Sequence, residues 1–472
     1  MWGVRWVFGL VLAMETVGTA LADGPAPPPV SVVFALQRLS ARFADDGASG
    51  APAAVKAVEP DAEEQRDPAL SEMLFAPTDS GGSHSLALGD LEQIALENNP
   101  TLIQARMAVR AAEGRCLQAG LWPNPTLGYA GADLGIEGTA GQHGAVLGQE
   151  FVTAGKLRLG RAAASHEVQQ ARHVWQAQVW RVLNDVRGGY YDVLLWQKMV
   201  EVNRQLVRIG QEGVEVTEKL RAAMEVGEAD VLQARIEAET AGLGLSQAEI
   251  RHRVVWRQLA AVLGLPEMEP SPLAGDVEAE WPQLESEECL HRLLAGSPEL
   301  AEARAGVERA RCELAYQWAQ RRPNFEIGLG AKYDDSTFNG LADVELSVPL
   351  PIFDWNQGNI AAAKAELITA EREVRRVELS LYDRHAAAFA EYDDANIQVK
   401  TYKDAILPSA KRSLELTQTG YREGEFDYLA LLTAQRTFFN VSLEYLANLR
   451  ELWNQSVNLE GMLLRGGLEQ GQ

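Results

Sequence analysis

The residues of this 472-residue chain that could carry nucleophilic, redox or metal chemistry are few and badly spaced for it. Cys116, Cys289 and Cys312 contain no Cys-x-x-Cys pair, so neither a redox motif nor a zinc framework is indicated. One disulfide, Cys289 with Cys312 for example, would still leave an odd thiol. Three isolated buried thiols are the preferred reading. His84, His143, His166, His173, His252, His291 and His385 show no His-Glu-x-x-His or comparable ligand spacing. No phosphate loop and no nucleophile–base constellation occurs. The chain therefore reads as no enzyme, with no cofactor and no metal site. Its informative polar residues fall in two other groups. Asp343, Glu345 and Ser347 alternate with apolar residues, as on one face of a strand. Gly227 and Asp230, and then Gly420, Tyr421, Arg422, Gly424 and Asp427, sit at two turn signals between helical stretches.

The balance of 43 Lys+Arg against 66 Asp+Glu gives a formal net charge of −23. That sign excludes a basic nucleic-acid binder, so no nucleic acid is expected as a partner. Past the N-terminus, no uncharged apolar run of about 18 to 20 residues predicts a membrane-spanning helix. Residues 1–22 read as an export signal: Arg5 opens it, Trp6 to Met14 form the apolar run, and Ala20-Leu21-Ala22 is the cleavage pattern. No cysteine near that pattern could carry a lipid. Residues 23–86 hold eight prolines among Ala, Gly, Ser and Asp, and read as a partly disordered leader with a short helix near Val30–Phe43.

The positioning elements follow from where proline is missing. None occurs between Pro125 and Pro266, and only Pro408 lies beyond Pro351. Proline breaks helix interiors, so these gaps admit very long helices. Val200, Val202, Leu206, Ile209, Val214, Val216 and Leu220 show the three- and four-residue apolar spacing of coiled-coil-like packing.

The chain also repeats itself. Asn99-Pro100-Thr101-Leu102 parallels Ser297-Pro298-Glu299-Leu300 at an offset of 198, which Pro125 and Pro323 keep. Gly227-Glu228-Ala229-Asp230 parallels Gly424-Glu425-Phe426-Asp427 at an offset of 197. Residues 87–265 and 285–465 thus read as two copies of one unit. A linker covers 266–284 and a tail 466–472.

Within each copy the period changes from helical to alternating. Phe325, Ile327, Leu329, Ala331 and Tyr333 alternate with polar or glycine residues, and after a loop Val344, Leu346, Val348 and Leu350 do the same. Strands are expected at about 324–334 and 341–350, and in the first copy at about 125–134 and 145–152, with Leu127 and Tyr129 the clearest outward pair. Roughly ten residues suit a tilted outer-membrane strand, though a hairpin folded under its own helices would also fit. A helix of about 67 residues would follow the first hairpin, on the order of 100 Å long. Four strands cannot close in lipid, whereas three copies supply twelve. The expected fold is mainly α with a small β part. It comprises two tandem helix–hairpin–helix repeats, long coiled-coil α-barrel helices, and four transmembrane β-strands per protomer in a twelve-stranded trimeric barrel.

With these features in order, the chain resembles the outer-membrane efflux protein family typified by TolC, over about 87–465. Asn99-Pro100, Phe151-Val152-Thr153-Ala154-Gly155-Lys156, Val348-Pro349-Leu350-Pro351-Ile352-Phe353, Gly420-Tyr421-Arg422-Glu423-Gly424 and Leu431-Leu432-Thr433-Ala434-Gln435-Arg436 carry the likeness. It implies a homotrimeric, passive exit duct in the outer membrane with a large periplasmic part. That duct would meet a periplasmic membrane-fusion adaptor and an inner-membrane pump, of the resistance-nodulation-division type first. Tyr421 and Arg422 match the family's gate turn, whereas Ala430 and Thr433 occupy positions acidic in the family. The Thr-Ala-Gly-Lys transition resembles heavy-metal members. Other readings are an exit channel for secreted proteins and a periplasmic coiled-coil adaptor or scaffold.

Overall fold

The computed structural model describes residues 85–135, 141–278 and 281–469, the Arg422 side chain excepted. The export signal at 1–22, the helix near Val30–Phe43 and all but the last two residues of the 23–86 leader lie outside the described residues.

Chain order is α1 (Leu88–Asn98), α2 (Pro100–Ala119), β1 (Thr126–Ala132), β2 (Gln142–Phe151), α3 (Lys156–Ala222), α4 (Glu228–Val262), α5 (Ser286–Gly296), α6 (Pro298–Gln320), β3 (Phe325–Asp334), β4 (Asn339–Ser347), α7 (Gln357–Thr401), a π-turn (Tyr402–Ile406), α8 (Leu407–Arg422) and α9 (Tyr428–Glu460). The Asn-Pro and Ser-Pro motifs start equivalent helices. Asn99 and Ser297 are buried N-caps, each followed by proline at the first helical position, where the missing N–H costs nothing. Asn99 accepts from Thr101 N–H at 3.0 Å and donates to the Val262 carbonyl at 2.8 Å. Both descending helices start from a left-handed residue, Gly155 at φ +68° and Asn356 at φ +65°.

The 67 residues of α3 extend about 100 Å. The second copy reaches the same depth on α7, the π-turn and α8, with 45, 5 and 16 residues. Towards the strands α2 lies beside α3, α3 beside α6, and α6 beside α7; towards the far end α3 pairs with α4 and α8 with α9.

The core lies at mid-height rather than along the whole rod. Buried residues of α3 concentrate between Ala177 and Leu206. Around them the linker is held by side chains bonding to its backbone. Trp256 Nε1 donates to Met268 O and Trp453 Nε1 to Val277 O, each at 3.0 Å, and the Tyr392 hydroxyl to Pro282 O at 2.7 Å. Beyond Glu460 the tail folds back on α3: Asn184 Nδ2 donates to Gly461 O and Leu464 O, and Asp185 accepts from the Gly466 and Gly467 N–H groups. Arg187 of α3 reaches Glu92 of α1 at 2.6 Å, with both side chains under a tenth exposed.

The sheet runs β1-β2-β3-β4, antiparallel throughout. Its bounds correct the expected ones. β1 stops at Ala132, before Asp133 at φ +54°; β2 starts three residues early; β4 spans 339–347. Val348 and Leu350 fall beyond the ladder because Pro349 and Pro351 have no N–H to give it. The three cysteines are free, and only Cys289 is buried, so the disulfide is not formed and two of the three thiols are partly exposed.

Two measurements test this mid-height packing. Arg187→Met should lower stability by about 3–5 kcal/mol, because it strands the buried Glu92 carboxylate. Adding Glu92→Leu should restore most of that in thermal unfolding of detergent-solubilised protein. Burial pushes the His385 imidazole below its ordinary value of 6.5, against a hydrogen bond with the Ser286 backbone that raises it. The folded chain thus takes its proton later than the unfolded one, so this group's stabilisation is full above about pH 6.5 and lost below it. A His385→Phe variant should lose less stability than the parent between pH 7 and about pH 5.

Candidate functional site

Two regions carry the polar groups singled out by the sequence: the sheet, and the turns at the far end of the long helices. In the sheet, register decides the faces. Leu127, Leu147, Leu329 and Val344 lie abreast across all four strands, as do Tyr129, Ala145, Ala331 and Ala342. This apolar face is open, with Leu127 78% and Val344 76% exposed. Aromatic residues mark both ends of it. At the helix end Phe151 stacks on Phe325 at 5.1 Å, with Trp122 edge-on to Phe151; at the other end stand Tyr129, hydrogen-bonded to His143, and Tyr333. From Phe325 to Tyr333 is about 26 Å along the strand, or about 20 Å at an ordinary barrel tilt, close to the lipid-facing band of such barrels.

The opposite face carries Glu150, Glu326, Lys332, Asp343, Glu345 and Ser347 among Gly128, Gly144, Gly148, Gly328 and Gly330. Lys332 pairs with Asp343 across β3 and β4. A Cβ on Gly144 would run into the Ala331 carbonyl and sit 2.6 Å from Lys332 Cγ, so glycine lets the β3 backbone and the lysine stem come close. Thus Asp343, Glu345 and Ser347 share one polar face, together with Glu150, Glu326 and Lys332. Glu150 was missed because the weak alternation of the first hairpin hid its register, whereas Glu326 and Lys332 fall on the polar positions of the alternation read at 325–333. The outer edges of β1 and β4 have no partner strand among the described residues.

At the far end the two turns are built alike but with different residues. Glu225 N–H donates to Leu220 O at 2.9 Å, and Glu425 N–H to Gly420 O at 2.7 Å. The residue before each donor is left-handed: Met224 at φ +60° and Gly424 at φ +76°. The structural offset is therefore 200, and the Gly-Glu-x-Asp match at 197 is three residues out of register. Gly227 is an N-cap with φ −80°, matched by Asp427, and not by Gly424. The two aspartates act in opposite directions. Asp427 Oδ1 reaches forward to Ala430 N–H at 2.9 Å, whereas Asp230 Oδ2 reaches back to Gly227 N–H at 2.9 Å. A carboxylate is favourable in either place at a helix start.

Tyr421 is half-buried where the two helical hairpins meet. It packs against the cluster of Ala234, Tyr428 and Leu432, which Val214 also borders, and against that of Leu414, Leu431 and Ala434, which Phe438 also borders. Its hydroxyl is buried beside Thr217 without a well-formed hydrogen bond, since Thr217 Oγ1 donates to Gly213 O at 2.7 Å. Burial pushes the Tyr421 phenol up, and that of Tyr428 up to about 12. Arg436 of α9 pairs with Glu237 of α4, a second tie between the hairpins. Sequence reading singled out Tyr421 but not the residues it packs on, which come from α4, α8 and α9. Gly420 is needed for contact: a Cβ there would run into the Phe426 ring. The Arg422 side chain lies outside the described residues.

A subunit with an open lipid-type sheet face, a polar reverse face and a descending helix of about 100 Å is a channel component of an outer membrane. The chain belongs to the outer membrane efflux protein family, whose pattern matches residues 91–265 and again 289–463. It is 26% identical over 407 residues to the cobalt-zinc-cadmium resistance protein CzcC of Cupriavidus metallidurans, covering 85% of this chain and 95% of that one. It is 26% identical over 357 residues to protein CyaE of Bordetella pertussis, with 71% and 74% covered. The solved outer-membrane channel OprN shares the fold with a TM-score of 0.67 at 19% identity, covering 81% of this chain and 91% of that one. The protein is thus a non-enzymatic efflux channel of the outer membrane, with a large periplasmic helical part.

The turn register is testable. Gly424→Ala should cost about 1 kcal/mol or more, since alanine is strained at that positive φ. Gly227→Ser should be neutral or stabilising, because serine is a better N-cap. Equal losses in unfolding midpoint would restore the offset of 197.

Proposed function

We propose that three copies of this chain seal edge to edge into a twelve-stranded barrel standing on a hollow helical barrel, and that it serves as the exit duct of a tripartite efflux system. The carrying observation is the pair of unpartnered sheet edges flanking an unbroken lipid-type face. Backbone groups facing lipid need partners, and within one chain β1 and β4 have none to offer each other. Because β1 and β4 run in opposite directions, β4 of one copy and β1 of the next pair antiparallel.

In this reading Asp343, Glu345 and Ser347 line the lumen. Gly227, Asp230, Gly420, Tyr421, Arg422, Gly424 and Asp427 form the periplasmic tip that closes the duct, with Tyr421 as its inner latch. Residues 87–265 and 285–465 are the two repeats, 266–284 the equatorial linker and 466–472 the tail, behind an export signal at 1–22 and a leader at 23–86. The tip meets a periplasmic membrane-fusion adaptor that couples it to an inner-membrane pump of the resistance-nodulation-division type. Transport is passive: the pump supplies the energy, and the acidic lumen biases passage towards cations. Small molecules or metal ions are the cargo. The name of the relative from Cupriavidus metallidurans favours divalent transition-metal ions.

Purified protein in planar bilayers tests this reading. The wild type should give a small, mostly closed conductance, and Tyr421→Ala with Arg422→Ala should raise it. An unchanged conductance in the double variant would remove the gate from this turn. A water-soluble monomer in detergent-free extracts would remove the channel.

A further inference from the structure

The two copies differ at one point on their long descending helices. The first copy descends on α3 without a break, from Lys156 to Ala222. The second is interrupted by the π-turn at Tyr402–Ile406, between α7 and α8. The cause is local. Pro408 has no N–H to give the carbonyl of Asp404, and its ring would press on that carbonyl in a regular α-helix. One extra residue in the turn opens the ladder there and relieves the clash.

The height of the interruption gives it a role. α8 has 16 residues, so the π-turn stands about 25 Å above the tip. It is also where the equatorial linker lets go of this helix. Lys403 Nζ donates to Glu278 O at 3.3 Å and lies 4.9 Å from the centre of the Trp281 ring; three residues higher, Lys400 reaches Gln283 at 3.0 Å. Below Lys403 no described linker residue bonds α8. There α8 and α9 join the first hairpin through the apolar cluster around Tyr421 and Tyr428 and the Arg436–Glu237 pair. A two-helix hairpin bends sideways only if one helix changes length against the other. An α-helix resists that, whereas a π-turn can redistribute its extra residue.

We propose that the π-turn at Tyr402–Ile406, set by Pro408, is the hinge about which the α8–α9 half of the tip swings away from α3–α4 when the duct opens. The inference deepens the gate reading above and rests on it. It assigns the motion to the second repeat, because α3 has no such break. Ala405 is exposed and touches no core cluster, so it can be altered without opening a cavity.

The test uses the full-length protein with its three cysteines replaced by serine and a spin label on Glu423→Cys. Distances between labels are read with and without Tyr421→Ala, the substitution that unlatches the tip. Tyr421→Ala alone should widen the separation and raise conductance. Deleting Ala405 together with Pro408→Ala removes the extra residue without turning the flanking helix faces, and in the Tyr421→Ala background it should abolish both gains. Ala405→Gly, which loosens the turn, should widen the tip further. A straightened variant that opens as widely as its Tyr421→Ala parent overturns the hinge. If that variant fails to assemble, Ala405→Gly decides: no gain in separation or conductance overturns it equally. A lack of pore from wild type and Tyr421→Ala alike would instead overturn the channel reading itself.

Discussion

The sheet cannot end where this chain ends it. Each edge strand offers a row of backbone N–H and C=O groups, and in hydrocarbon every unpaired one costs several kcal/mol. Water would tolerate such edges, but the apolar face shows that water is not the solvent here: Leu127, Val344 and Leu346 stand in the open, bracketed by aromatic residues at both ends. Closure must therefore come from other copies. The same order continues below the strands, where α2, α3, α6 and α7 stand side by side with α2 and α7 at the margins. In the trimer proposed above, one requirement of the backbone thus sets the oligomer, and the oligomer turns the polar face of the sheet into the wall of a lumen.

Closure at the barrel does not by itself hold 100 Å helices in place. A long helix gains little from propensity and needs packing against an apolar face. Here the packing is gathered at mid-height, where the linker and the tail wrap the bundle. The binding there is directional as well as apolar. Two indoles and a phenol hold linker carbonyls, and Asp185 holds two N–H groups of the tail. Such bonds fix register along the helices as sliding apolar contacts would not. The barrel above and the hairpins below can then differ in stiffness while sharing one frame.

Much of this was legible in the amino-acid sequence because proline and period change are strong signals. The gaps between prolines gave the long helices, Asn99-Pro100 and Ser297-Pro298 gave their caps, and the alternation at Phe325–Tyr333 gave the third strand. The polar face carrying Asp343, Glu345 and Ser347 followed from the same alternation. What stayed hidden was register. Gly227-Glu228-Ala229-Asp230 and Gly424-Glu425-Phe426-Asp427 share letters because acidic residues suit a helix start at more than one position. The backbone places them three residues apart. Pro408 was visible as a lone proline, but whether it kinks, ends or bulges a helix depends on neighbours that only packing supplies. The tail's grip on α3 was invisible for the same reason: Asn184 and Asp185 look like ordinary polar helix residues until the tail backbone is set beside them.

In the gate proposed above, the tip would hold its closed state without a deep minimum. Tyr421 buries its ring in the join between the hairpins, which favours closure in proportion to the apolar area covered. Its hydroxyl goes in with only Thr217 beside it and no well-formed hydrogen bond, and a buried hydroxyl so placed costs up to about 1–3 kcal/mol. The two effects oppose each other within one side chain. Opening exposes the ring but returns the hydroxyl to water, so the difference between states is small compared with a fully apolar seam. A partner that contacts only the open tip then needs little differential affinity to shift the population. A phenylalanine at this position would pack the same ring without that opposing term. In the proposed gate, tyrosine therefore suits a joint that must come apart better than phenylalanine would.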